Sequence, residues 1–389
     1  MKFESKLPNV GTTIFTIMSQ LAVEHAAINL GQGFPDFDPD PRLLDLVTQA
    51  MKEGHNQYPP MPGIKPLRET IARKVSRLYG HDYDPDTEIT VTSGATEALM
   101  TSIQAFVRPG DEVIVIEPCY DLYMPSIELA GGIPVVVPMD APTHSHPYYL
   151  MDWQRVRAAI TGCTRMIMLN FPHNPTGIIL SPQDLDELES IVVDTGVMLL
   201  SDEVYEHIVF DGRSHQSLAS RESLAANTIV ISSFGKTYHT TGWKVGYACA
   251  PAAITAEIRK VHQFTVFTTT SPMQFALAQY MQDPAPYETL SSFYQEKRDL
   301  LALGLQDSRF HVLPSQGTFF LLAQYQAISD QSELDFARWL TGTHGVTVIP
   351  VSAFYAQPGS EQSNHHLARF CFAKQDHTLR AAIAKLQAI

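Results

Sequence analysis

Apolar and polar positions fall into two rhythms along the chain. Between residues 14 and 80 apolar residues recur at helical spacing, whereas from about residue 87 short apolar runs alternate with helical stretches. The first rhythm predicts helices over 14–25, over 41–53 with Leu43, Leu44, Leu46 and Val47 ahead of Gly54, and over 66–79 closed by Gly80. Between them, 28–37 carries Gly31, Gly33 and Pro35 and predicts an irregularly shaped connector, and 56–63 a proline-rich turn. The second rhythm predicts strands at 88–92, 111–116, 133–137, 165–170, 197–202 and 228–232, with helices at 96–106 and 120–130 among them. That alternation predicts an α/β fold, a mostly parallel central sheet covered by helices. From about residue 281 the rhythm breaks, and a long helix over 286–305 leads into mixed elements. We therefore expect three parts: 1–42, an N-terminal arm that joins a small domain; 43–280, a large cofactor-binding domain; and 281–389, a smaller α+β domain.

In such a sheet, ligands sit beyond the carboxyl ends of the strands. The residues there are Ser93-Gly94-Ala95-Thr96, Tyr120, Asn174-Pro175-Thr176-Gly177, Asp202-Glu203-Val204-Tyr205 and Ser233-Phe234-Gly235-Lys236. They include an amine, a carboxylate, an amide, phenols and a small-residue turn that opens a helix. This inventory suits a cofactor bearing an aldehyde, a basic ring nitrogen, a phenolic oxygen and a phosphate, which is pyridoxal 5'-phosphate. Lys236, just past a buried strand and among small residues, is suited to lose its proton by desolvation and attack the aldehyde. Asp202 would keep the ring nitrogen protonated. Asn174 and Tyr205 would donate to the phenolic oxygen. The Gly94, Ala95 and Thr96 amides would hold the phosphate with Ser233 and Lys244, and Tyr120 would stack on the ring. Alone, a strand-end Asp is more often a turn or cap residue and Asn-Pro-Thr-Gly an ordinary turn; their joint occurrence in this order gives them weight.

Composition narrows the partners. The 389 residues hold 27 basic and 41 acidic side chains, a net charge of −14, and no basic block, so nucleic acid and anionic membrane are not expected partners. Cys119, Cys163, Cys249 and Cys371 are widely spaced and show no CxxC pairing, which fits free thiols in the cytoplasm. The first residues, Met1 to Pro8, have no apolar leader pattern. The stretch 142–147, with His144 and His146, reads as a surface loop, and no metal is expected.

The segments Asn174–Gly177, Asp202–Tyr205, Ser233–Lys236 and Gly242-Trp243-Lys244-Val245-Gly246 resemble the signature of class I pyridoxal-phosphate-dependent aminotransferases of fold type I, the aspartate-aminotransferase-like fold. Asn29 to Phe37 and Asn56-Gln57-Tyr58 are similar to the branch holding kynurenine aminotransferase, glutamine transaminase K and bacterial methionine aminotransferases, the last above all. The resemblance implies that Arg369 clamps the substrate carboxylate, assisted by Asn174 and the Gly33-Phe34 backbone. It further implies that Tyr58 reaches the phosphate of the other subunit of a homodimer, and that Phe15 and Phe267 line the side-chain pocket. One departure is Lys244, where the wider class often has arginine.

The expected activity is ping-pong transfer of the amino group of a large neutral amino acid, methionine or an aromatic one, to a 2-oxo acid. Kynurenine or glutamine as donor and cysteine-conjugate β-lyase chemistry are alternatives on the same cofactor. Ser233-x-x-Lys236 also satisfies the SxxK pattern of serine hydrolases, but the partner Ser-Asp-Asn and Lys-Thr-Gly motifs are absent.

Overall fold

In a computed structural model, which describes residues 4–389, the predicted strands assemble into one seven-stranded sheet. The residues 1–3 of the expected arm lie outside the described residues. The first elements are a helix, Ile14–Glu24, and a two-residue strand, β1 (Ile28–Asn29). The sheet comprises β2 (Ile89–Thr92), β3 (Glu112–Glu117), β4 (Ile133–Pro138), β5 (Thr164–Asn170), β6 (Met198–Asp202), β7 (Thr228–Ser233) and β8 (Gly246–Cys249). Their spatial order is β2-β8-β7-β6-β5-β3-β4. All neighbours pair in parallel except β8, which runs antiparallel to both β2 and β7.

Alternation along the strands explains why both faces are covered. Ile114, Ile116, Ile167, Leu169 and Leu199 point into one buried core, and Val113, Val115, Met166, Met168 and Leu200 into another. Each such side chain contributes about 1.5–3 kcal/mol on full burial, so the sheet cannot slip register without exposing a row of them. The covering helix Pro182–Thr195 starts at a reciprocal capping box between Ser181 and Asp184 and stops at Gly196, whose φ is 67°.

The C-terminal part forms a second sheet from β9 (His311–Val312), β10 (Phe320–Gln324), β12 (Ile349–Pro350) and β13 (Leu367–Cys371), in the order β12-β13-β10-β9. Strand β11 (Val346–Thr347) pairs instead with β1, Ile28 opposite Val346. The Cys371 N–H donates to the Leu30 carbonyl, so the arm is stitched to this second sheet.

Three element predictions need correction. The helix predicted from Tyr120 begins at Tyr123, because Pro118 to Leu122 form an irregular turn. The predicted helix 286–305 is broken at Thr289 into Ala285–Glu288 and Leu290–Gly304. Strand β8 was not predicted, since Gly246–Cys249 follows the lysine motif without an apolar period of its own. The stretch 142–147 is an irregular segment between Asp140 and Leu150, which bridge antiparallel.

Candidate active site

Register brings the polar strand ends to one edge. Asn170 at the end of β5 lies opposite Asp202 at the end of β6, and Ser233 at the end of β7 lies opposite Gly246, which also faces Thr92 of β2. A cavity of about 290 Å³ opens beyond them. It is closed from the other side by Phe15, Gly33, Phe320 and Arg369.

Lys236 sits in the single turn Phe234–Thr237, capped by the Ser233 hydroxyl, which accepts from the Gly235 N–H at 3.2 Å. Its Nζ donates to the Gly33 carbonyl at 3.1 Å and lies 5.7 Å and 5.2 Å from the Tyr205 and Phe319 ring centres. Burial in this apolar setting disfavours the ammonium and lowers the lysine pKa to about 8.

Asp202 is 5 % exposed. The Tyr123 hydroxyl donates to its Oδ2 at 2.8 Å and the Val204 N–H to its Oδ1 at 3.3 Å, and neither partner is basic. Burial therefore wins over these bonds and raises its pKa to about 6. A buried carboxylate with this need is a receptor for a cation.

The helix Gly94–Phe106 begins at the cavity, its cap residue Ser93 making no side-chain cap bond. Its first N–H groups lack intrahelical partners and carry the positive end of the helix dipole. Gly94 has φ 72°, and Lys244 Nζ would lie 3.4 Å from a Cβ built on it. Lys244 Nζ also donates to the Thr96 hydroxyl at 3.1 Å. These groups form a small cationic cup.

Arg369 occupies the middle of β13, between Leu322 and Ile349 in register. It is 1 % exposed, with its guanidinium carbon 3.8 Å from the Phe320 ring centre and within 5.4 Å of those of Phe15 and Phe354. Nη1 donates to Asn174 Oδ1 at 2.6 Å and Nη2 to the Gly31 carbonyl at 2.9 Å, whereas the buried Nε has no partner. Burial moves its pKa down to about 10, so it stays charged at neutral pH and lacks a counter-anion.

The structure thus gathers Lys236, Asp202, Tyr205, Asn174, Tyr120, Ser233, Lys244, the Gly94–Thr96 turn, Gly33, Phe15 and Arg369 around one cavity. Three expected residues lie outside it. Tyr58 is 85 % exposed and packs edge-on against Phe267, itself 42 % exposed. Phe34 is also exposed. The expected help of the Gly33-Phe34 backbone to a carboxylate can come only from its N–H groups; the Gly33 carbonyl accepts from Lys236 and that of Phe34 from Lys374. Tyr123 and Phe320 line the cavity and were not predicted, and Asn170, which ends a predicted strand, lines it too although it was given no role. Tyr123 lies three residues beyond Tyr120, and the helix predicted from Tyr120 would have set the two on one face; nothing in the pattern around Phe320 marks it.

The donor set fits pyridoxal phosphate. A buried lysine of weakened basicity suits its aldehyde, a buried carboxylate without a basic partner suits its ring nitrogen, and the amide cup with Lys244 suits its phosphate.

Comparison with known proteins agrees. Residues 26–386 match the family described as aminotransferase class I and II. The chain is 47% identical to methionine aminotransferase of Escherichia coli over 385 residues, 99% of this chain and 97% of that one. It is 41% identical to a probable N-succinyldiaminopimelate aminotransferase of Mycobacterium tuberculosis, covering 99% and 98%. Kynurenine–oxoglutarate transaminase of Dictyostelium discoideum is 34% identical, covering 96% and 93%. The solved structure of the Escherichia coli protein YbdL, for which a methionine aminotransferase function was identified, superposes with a TM-score of 0.96 at 47% identity over 100% of both chains. The chain therefore belongs to the class I and II aminotransferases and is a pyridoxal-phosphate-dependent transaminase that moves an amino group between an amino acid and a 2-oxo acid.

Proposed function

We propose that the amino donor is a large neutral amino acid, methionine or an aromatic one, and that the enzyme works as a cytoplasmic homodimer with shared active sites. The carrying observation is the substrate side of the cavity, where Arg369 is stacked among Phe15, Phe320 and Phe354 with no acidic group among the described residues bonded to it. A carboxylate is the missing partner of the guanidinium, and the aromatic rings beside it suit an apolar side chain. Bound in the cavity, pyridoxal phosphate supplies an aldehyde that captures amines and a ring that takes up the electron pair left on the substrate's α-carbon.

On this reading, the chain's own groups divide the remaining work. Lys236 Nζ would hold the cofactor between turnovers, then as a free amine would remove the substrate α-proton and deliver it to the cofactor carbon that bore the aldehyde. Asp202 keeps its carboxylate against the ring nitrogen, with Tyr123 holding it in place. Asn174, whose Oδ1 is taken by Arg369, presents its amide N–H groups to the phenolic oxygen together with Tyr205. Gly94, Ala95, Thr96, Ser233 and Lys244 hold the phosphate, and Tyr120 packs on the ring. The exposed Tyr58 and Phe267 are assigned to the neighbouring subunit's site, Tyr58 to its phosphate and Phe267 to its side-chain pocket. The arm, large-domain and small-domain division at residues 42 and 280 belongs to the same proposal. It is supported by the pairing of β1 with β11.

The relatives named above carry different donors in their names, and the kynurenine transaminase among them favours kynurenine as a second donor. Family membership leaves the SxxK hydrolase reading without support, and Lys236 Nζ bonds to Gly33 instead of the Ser233 hydroxyl. Steady-state kcat/KM with one fixed 2-oxo acid tests the donor class. Methionine and phenylalanine are expected to exceed aspartate at least about tenfold, the value of roughly 1.4 kcal/mol of transition-state binding. Aspartate as the better donor would defeat the pocket reading, and steady pyruvate and ammonia release from a cysteine S-conjugate without an oxo acid would point to β-lyase chemistry.

A further inference from the structure

A second buried polar group stands behind the phosphate cup and belongs to none of the roles above. His262 lies in the helix Ala252–Thr265 and is 0 % exposed; Glu97, in the helix Gly94–Phe106, is 7 % exposed. His262 Nδ1 is 2.9 Å from Glu97 Oε1, and His262 Nε2 is 3.1 Å from the Met61 carbonyl oxygen. Glu97 Oε2 accepts the N–H of Ser93 at 3.1 Å. Glu97 thus reaches back one turn to its own helix's cap residue, the residue immediately before Gly94.

Counting protons on this chain of contacts fixes its state. The Met61 carbonyl only accepts, so Nε2 must carry a proton. A carboxylate oxygen facing Nδ1 also only accepts, so a second proton must lie between Nδ1 and Oε1. A neutral imidazole beside an ionised carboxylate has one proton too few and would set two lone pairs against each other in a buried site. The pair therefore holds both protons and is neutral overall, and Oε2 remains an acceptor for Ser93.

We infer that the His262–Glu97 pair is a positioning device for the cofactor phosphate, holding the Ser93–Thr96 turn in its binding shape and tying it to the Tyr58–Gly63 segment through Met61. It touches neither the cofactor's aldehyde end nor the substrate side. Ser93 has no side-chain cap bond, so this carboxylate holds the entry to the turn together with the Thr92 hydroxyl, which donates to the Gly94 carbonyl at 3.1 Å. The Met61 carbonyl lies three residues beyond Tyr58, so one imidazole spans the phosphate cup and the segment assigned to the neighbouring phosphate. The inference rests on the phosphate role of Gly94–Thr96 stated above.

The test compares pyridoxal 5'-phosphate with pyridoxal, which lacks the phosphate, by absorbance titration of the full chain freed of cofactor. Wild type is expected to prefer the phosphate form strongly. In Glu97→Leu both acceptors are removed, so Ser93 and His262 each lose a partner, and the preference is expected to fall at least about tenfold, the worth of a charge-assisted hydrogen bond. Pyridoxal affinity is expected to stay within about twofold of wild type, since a pair acting on the phosphate alone leaves the aldehyde contacts intact. His262→Gln, which keeps one donor, is expected to lie between. If both aldehydes weaken alike, or the preference is unchanged, the positioning role is wrong. If wild type itself shows no preference, the phosphate reading fails and takes this inference with it. Should Glu97→Leu not fold, His262→Gln and the wild-type titration carry the test.

Discussion

The cofactor side of the cavity hangs on the ends of neighbouring strands of one sheet, where register sets Asn170 against Asp202 and Ser233 against Gly246. The substrate side is gathered from far apart in the chain, Phe15, Gly31, Asn174, Phe320 and Arg369, and is held by ring stacking and side-chain bonds. Backbone pairing positions the first, so a side chain there can be exchanged with little movement of its neighbours. The second depends on its own side chains, and Gly33 shows how closely they pack, since a Cβ there would come within 2.7 Å of the Phe320 ring. Cofactor uptake and substrate recognition should therefore fail separately.

The largest break is expected from Lys236→Ala. Transamination should fall at least roughly 10⁴-fold, because both the amine that holds the cofactor and the base that moves the α-proton are removed. Equilibrium dialysis should still find the cofactor weakly bound through the phosphate cup, and total loss of binding would merge what is here kept apart. Next in size, Asp202→Asn is expected to lower kcat by roughly 10³-fold, about 4 kcal/mol of barrier, while KM for methionine changes little. A rise in KM alone would move Asp202 to the substrate side.

The lysine sharpens the comparison through pH. Only the neutral amine attacks an aldehyde, and burial holds the Lys236 pKa down to about 8. The rate of cofactor uptake by the apo chain should therefore climb about tenfold per pH unit below 8 and level off above it. Uptake that continues to climb to pH 10 in stopped-flow absorbance would show an ordinary, solvated lysine. The smallest effect is expected from Tyr123→Phe. Its hydroxyl stabilises the ionised Asp202, so its loss should raise that carboxyl further above its already raised value and move the acid limb of the kcat profile to higher pH, with about a threefold loss at neutral pH. An unmoved limb would separate Tyr123 from the function of Asp202.

How far each side could be read in advance follows from the same contrast. Asp202 and Lys236 were legible because a polar residue that ends an apolar run is conspicuous, and a parallel sheet sends every such end to one edge. Arg369 stands in Leu367-Ala368-Arg369-Phe370-Cys371 as an ordinary strand residue, and only family resemblance marked it; its burial between two neighbouring strands is a tertiary fact. Strand β8 stayed hidden because four residues, two of them Gly and Ala, carry no period, yet its antiparallel insertion sets Gly246 behind the phosphate turn. The His262–Glu97 pair spans 165 positions of sequence and leaves no local trace.

The separation of the two sides is tested most directly by Arg369→Ala. Spectra of the loaded variant should show the visible cofactor band at wild-type intensity. Its rate of loss on adding methionine should fall roughly 10³-fold, as for removal of a buried charged contact worth about 4 kcal/mol. A variant that cannot take up pyridoxal phosphate, or one that consumes the band at the wild-type rate, would contradict the account.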